Sequence, residues 1–196
     1  MKKVLLIILG VIVVVGFWLV SARNNLVTLE EGVKSQWSQV ENVYQRRLDL
    51  IPNLVNTVKG YAAHERETLE GVVEARAKAT QISGDALKNV IDDPQAFQKF
   101  QQSQAGLSSA LSRLMVVVER YPDLKANQNF LELQAQLEGT ENRITVERMR
   151  FNEAAKQFNV AIRKFPAAMI AGFFGFKEKV YFQADQGAAK APEVKF

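Results

Sequence analysis

Three pairs of carboxylates stand out as residues able to do chemistry: Glu30 with Glu31, Glu65 with Glu67, and Asp92 with Asp93. Paired acids are the raw material of general acid and base catalysis when a cleft drives their pKa values apart. Each pair here falls at an expected helix start or turn, where acidic residues complement the helix dipole. No catalysis is assigned to them. The chain has no cysteine and one histidine, His64, which removes thiol nucleophiles, thiolate zinc sites, disulfides and any histidine pair for a metal or a Ser/His relay. His64 with Glu65 and Glu67 is too sparse a donor set for a metal site. Gly172 and Gly175 lie among phenylalanines and lack the lysine and hydroxyl that a phosphate loop uses. The sequence therefore implies no cofactor, no metal and no catalytic residue.

A second set of charges has a different character. Arg46, Arg47 and Asp49 in one segment, and Glu141, Arg143 and Glu147 in another, each lie beside an apolar stripe of helical spacing. They could form a ligand-binding cluster of guanidinium and carboxylate groups, or ion pairs that fix the register of two long helices. The second reading is preferred, because removing one partner of a buried pair is costly even where the intact pair adds little stability. Asn53, Asn56, Asn142, Asn152 and Asn159 divide in the same way, between lining a polar pocket and hydrogen bonding across the core. The core role is again preferred.

The first element that must position these groups is apolar. Val4 to Val20, with Leu9 and Val15 between them, carry no charge, and Ser21 and Ala22 extend the run. At about 1.5 Å per residue this run matches a bilayer's hydrocarbon thickness. Trp18 near its end suits the headgroup level. A cleaved signal peptide is the competing reading, with Lys2 and Lys3 as its basic start, but the run exceeds the roughly 7–15 apolar residues usual for one. A single-pass anchor in the cell membrane is expected over 1–22. The two lysines give a slight vote for a cytoplasmic N-terminus.

Beyond Arg23, apolar residues step by three or four along Leu26, Leu29, Val33, Trp37, Val40, Tyr44, Leu48, Ile51, Val55, Val58 and Ala62. Ten steps cover 36 residues, a mean of 3.6, which is the period of a straight helix. Pro52 cannot donate to the carbonyl of Leu48, so an interruption or kink is expected there. A shorter helix follows on Leu69, Val72, Val73, Arg76 and Ala79, and Gln81 to Asp93 reads as a connection. Asp93 and Pro94 mark the start of a third helix ending at Tyr121-Pro122, and a fourth runs from Phe130 to Phe165. The fold expected is all-α: a transmembrane helix followed over 23–182 by an elongated antiparallel four-helix bundle with two long helices. Lys179 to Gln183 could be locally extended, and residues 183–196 read as a flexible tail.

The bundle ends in aromatics. Of twelve phenylalanines, six fall within the last 32 residues: Phe165, Phe173, Phe174, Phe176, Phe182 and Phe196. Tyr181, Met169 and Ile170 join them. A cluster this dense needs a cover, which could be the bundle itself, a membrane interface or a second copy of the chain. Phe173, Phe174, Phe176, Tyr181 and Phe182 are the candidate patch for self-association or membrane contact.

Specific phrases in the chain go beyond pattern. Arg46-Arg47-x-Asp49-Leu50-Ile51-Pro52-Asn53-Leu54-Val55, Val58-Lys59-Gly60-Tyr61-Ala62, Tyr121-Pro122-Asp123-Leu124-Lys125-Ala126-Asn127, Glu138-Gly139-Thr140-Glu141-Asn142-Arg143-Ile144, Phe158-Asn159 and Phe174-Gly175-Phe176 occur in order. Together they resemble the signature of the LemA family. The resemblance implies a membrane-anchored helical bundle of bacterial or archaeal type with no accepted catalytic residues. It also implies an extracellular N-terminus and a cytoplasmic domain, against the vote of Lys2 and Lys3. Phe158 departs from the family pattern, which often has tyrosine before the asparagine.

Apart from Lys2 and Lys3, the chain holds 23 basic residues against 21 acidic ones, a balance unlike that of a nucleic-acid binder. The function expected is a non-enzymatic, membrane-anchored scaffold whose partners are further copies of itself and, through its first helix, lipid. A monomeric adaptor for another membrane protein is the alternative.

Overall fold

The computed structural model describes residues 2–82 and 90–183. Regular structure among them is all helical: α1 (Lys2–Tyr61), α2 (Arg66–Gln81), a 3-10 turn (Val90–Asp92), α3 (Pro94–Val118), α4 (Pro122–Lys125), α5 (Gln128–Arg163) and α6 (Ala168–Ala171). The four helices read from periodicity are α1, α2, α3 and α5. The Asp93 carboxylate accepts from the backbone N–H groups of Gln95 and Ala96 at 2.8 and 3.3 Å, with Pro94 in the first turn, as the start signal requires. Most of the expected tail, with Phe196, and the Ser83-Gly84-Asp85 connection lie outside the described residues.

The apolar run and the first bundle helix, expected as two elements, are one helix of 60 residues, about 90 Å long. No residue from Val4 to Val20 is buried by the other described residues, yet Leu26, only four residues past Ala22, is already in the core. No linker separates span from bundle.

α5 lies antiparallel on α1 in a single register. Trp37 meets Phe151, Arg47 meets Glu141, and Tyr61 meets Asn127, so each step up α1 is matched by an equal step down α5. Two apolar cores fill the bundle. The half nearer the span is aromatic, around Trp37, Tyr44, Phe97, Phe100, Phe151 and Phe158. The far half is aliphatic, around Leu48, Ile51, Leu54, Leu107, Leu114 and Leu124.

Pro52 does not break α1, which is helical at and on both sides of it. The Leu48 carbonyl that Pro52 leaves unpaired accepts instead from Arg76 Nε on α2 at 2.9 Å. Asn53 and Asn56, the residues nearest the proline with side chains able to help, are exposed. Arg76 is thus the structural complement of Pro52. Replacing Arg76 by alanine is expected to cost roughly 1–3 kcal/mol, the penalty of an orphaned buried acceptor. In a Pro52→Ala background, where residue 52 regains its N–H, the same replacement should cost clearly less. Thermal unfolding of the four proteins in the cycle checks this, and equal costs in both backgrounds would refute the pairing.

Candidate functional site

Between the two cores lies a polar layer built on Arg47. Its helical position places it on the buried stripe, one residue before Leu48, and its side chain is 2% exposed. One terminal nitrogen donates to Ser108 Oγ and to Glu141 Oε2, both at 3.0 Å, and the other donates to Gln104 Oε1. The Tyr44 ring lies under the guanidinium, 5.1 Å from its carbon. Nε is buried with no partner among the described residues. Glu141, by contrast, is 54% exposed, so a fully desolvated cation leans on a half-hydrated anion. A recess of about 270 Å³ lies beside the layer, lined among others by Gln101, Ala105, Arg148 and Phe182. The layer ties α1, α3 and α5 together at one height. It can hold register, since a shift of either helix would strand Arg47 in apolar surroundings.

A second centre closes the end nearer the span. After α6 the chain runs back along α5 as an irregular strap, clipped by two asparagine side chains. Asn159 donates to the Lys179 carbonyl at 2.7 Å and accepts from its N–H at 2.8 Å. Asn152 does the same for Phe182, at 3.0 and 2.9 Å. The spacing is arithmetic: seven residues of helix rise about 10 Å, which three residues of extended chain also span. Each amide replaces the ladder partner that the strap's backbone lacks. The Val180 N–H donates in turn to the Ile91 carbonyl at 3.2 Å.

The clips deliver Lys179 into the core. Its side chain is 1% exposed, with Nζ 2.8 Å from Glu30 Oε1 and 2.6 Å from Asp92 Oδ1. The Phe158 ring lies 5.2 Å from the ammonium. One cation thus joins α1, the 3-10 turn and the strap. Three residues on, Phe182 inserts among Trp37, Phe97 and Phe151, 4.8 Å from Phe97 between ring centroids.

The Trp37 indole N–H donates to Glu41 Oε1 at 2.6 Å. Burial pushes the Glu41 carboxyl above the usual carboxylate range, outweighing the indole hydrogen bond that lowers it. A raised folded pKa means that the native chain keeps this proton where the unfolded chain releases it. Between the unfolded and folded pKa values, stability therefore falls as pH rises. Glu41→Gln keeps an oxygen acceptor for Trp37 and removes the ionisation. The variant is expected to melt slightly higher than the parent at neutral pH, with the difference fading below the carboxylate range. A variant that melts lower at neutral pH would reverse the sign and refute the account.

A family model described as the LemA family matches residues 36–196, which is most of the chain. The chain belongs to the LemA family. It is 29% identical to magnetosome proteins MamQ 1 and MamQ 2 of Paramagnetospirillum magneticum over 194 residues, 91% of this chain and 71% of each relative. It is 25% identical to protein LemA of Metamycoplasma hominis over 170 residues, 87% of this chain and 73% of the relative. With its uncovered apolar helix, this LemA-family chain is a membrane-associated helical protein.

The phrases that carry the LemA resemblance contain Arg47 and Glu141 of the polar layer, Pro52, whose freed carbonyl Arg76 takes up, and Asn159 of the strap. Of the expected ion-pair set, Arg47 and Glu141 meet. Arg46 and Arg143 point to solvent, and Asp49 is exposed, accepting from Gln45 Nε2 on its own helix at 2.7 Å. Glu147 pairs with Arg150 at 2.8 Å, within α5. The aromatic patch divides. Phe182 is a core residue and Phe176 packs on Phe158, so neither forms a surface. Phe173, Phe174 and Tyr181 are exposed. At Phe158, the departure from the LemA pattern, it is the ring face and edge that are used, toward Lys179 and Phe176. Sequence reasoning named Lys179 only as the start of an extended stretch and gave its side chain no role. Among the described residues no cluster of three or more His, Asp or Glu side chains could hold a metal, and His64 is exposed.

Proposed function

We propose that this LemA-family protein is a single-pass, membrane-anchored scaffold that acts by protein–protein contact and assembles with further copies of itself. The observation that carries the reading is the unbroken helix α1, which continues from the apolar span into the bundle core without a linker. A rigid post results, whose orientation on the membrane is inherited from its anchor. Arg47 with Glu141, and Lys179 with Glu30 and Asp92, hold elements together, which leaves the outer faces for recognition. Confinement to two dimensions raises effective concentration, so that weak lateral contacts suffice. Two of the relatives, MamQ 1 and MamQ 2, are named as magnetosome proteins.

The lateral contact is assigned to the outward face of α5. Leu131, Val146, Met149 and Val160 are exposed there, on the side opposite the buried Ile144 and Phe151. Because the chain has no cysteine, Met149→Cys gives a single thiol on that face. In vesicles, full-length Met149→Cys protein should form disulfide-linked pairs under mild oxidation, while Val116→Cys on α3 should not. Absence of pairs at both positions, with one foreign protein recovered in their place, would support the monomeric adaptor and overturn self-assembly.

A further inference from the structure

Between Lys164 and Lys177 lie twelve residues, Phe165 to Phe176, with no charged side chain and none that hydrogen bonds. An apolar run of this length is either a buried core helix or a segment lying at a membrane interface. Here it is not buried. Phe165, Met169 and Phe173 are 81%, 72% and 87% exposed, although the backbone around α6 is compactly folded, with the Phe176 N–H donating to the Ala171 carbonyl at 3.0 Å. Gly175 makes the closing turn at φ +77°, a conformation that side chains disfavour. The segment is a folded loop that presents bare apolar side chains.

Its height along the molecule is fixed by α1. α6 packs on α1, and the Arg23 guanidinium lies 5.5 Å from the centre of the Phe174 ring. Arg23 is the first residue after the apolar span ends at Ala22, so the loop stands where α1 leaves the bilayer. Leu19 and Ala22 are partly covered, unlike the exposed Trp18, Val20 and Ser21 beside them. Arg23, Arg163, Lys164 and Lys177 are the cations around the loop, and Glu178 is the one acid among residues 163–178; Glu30, Asp92 and Asp93 line a recess with Gly175, Lys177 and Lys179 beside its closing turn. Glu178 lies 3.8 Å from Arg163. Exposed apolar side chains flanked directly by Lys164 and Lys177, with Arg23 where α1 leaves the apolar span, are the composition of a surface that sinks into the headgroup layer and meets anionic lipid.

We propose that the α6 loop is a second membrane contact, with Phe165, Met169, Phe173 and Phe174 inserted into the interface of the bilayer that α1 enters. It rests on the reading of Val4 to Val20 as a retained span, and not on self-assembly. Two contacts would fix the tilt of the bundle as well as its attachment.

The test uses the full-length protein in phosphatidylglycerol/phosphatidylcholine vesicles, at no more than one copy per vesicle, carrying one fluorophore at Met169→Cys, Val14→Cys in the span or Val116→Cys far from it. Nitroxides are placed on the lipid near the headgroup in one sample and midway down the acyl chain in another, and iodide serves as the aqueous quencher. The expected result is lipid quenching at positions 14 and 169 and iodide quenching at 116. Adding Phe173→Ser with Phe174→Ser should then move position 169 toward iodide. Lipid quenching at 14 alone would overturn the second contact while leaving the anchor. Lipid quenching at neither would overturn both. Protection of 169 from both quenchers would mean that protein covers the loop, and would also overturn the proposal.

Discussion

Asn159→Ala is expected to free the strap and lower stability by roughly 2–5 kcal/mol, since it strands a buried N–H and a buried carbonyl at Lys179, each worth about 1–3 kcal/mol when unpaired. The Asn159 side chain also meets the Tyr181 hydroxyl at 2.9 Å, which adds a third lost partner. The loss should be specific in kind. With the clip gone, the backbone N–H groups of Lys179 and Val180 should exchange hydrogen faster than those in the far half of α5. Asn159→Asp should be about as damaging, because it keeps the acceptor but sets a carboxylate against the Lys179 carbonyl. An Asn159→Ala protein that melts like the parent, with a protected strap, would show that the clip does not hold it.

The second large effect separates a buried charge from its neighbours. Lys179 is 1% exposed, whereas Glu30 and Asp92 are 21% and 32% exposed. Neutralising both acids (Glu30→Gln with Asp92→Asn) leaves a dry, unpaired cation, a defect worth about 3–5 kcal/mol where a buried pair is broken. Lys179→Met removes the cation, fills similar volume and leaves two carboxylates that water already reaches. It should cost less. Lys34 loses its 3.8 Å contact with Glu30 in the double variant but keeps Glu31 at 2.8 Å, and at that half-exposed site the loss is worth about 0–1 kcal/mol. The triple variant should recover much of what the double loses, because a protein with no charge at this place has nothing to desolvate. If the double and the triple melt together, Lys179 is not held by its two acids.

These centres show where sequence reasoning reached and where it stopped. The 3.6-residue period gave α1, α3 and α5 with their buried faces, because a helix repeats its geometry and its core stripe is written into spacing. Arg47 and Glu141 were legible for the same reason: each sits beside a stripe, and antiparallel packing brings the two together. Nothing periodic governs the strap. Lys179 stands 149 residues from Glu30 and 87 from Asp92, and its burial follows from the amide clip on its own backbone and the second clip at Phe182. Asn152 and Asn159 did carry a signal, since seven residues apart on a helix means the same face, but the backbone they would meet was not visible. Arg76 was read as one member of an apolar stripe, and its partner is a carbonyl that only the fold brings near. Phe182 was grouped with Phe173 by composition, whereas the strap turns one inward and α6 leaves the other outside.

The most direct test of the scaffold is the particle mass of the full-length protein in mild detergent, measured by light scattering beside a chain beginning at Asn24. The account predicts one discrete multiple of the 22.0 kDa chain mass for the full-length protein, and the same copy number for the shortened chain, because the contacts lie on the bundle. Single chains in both samples would contradict it.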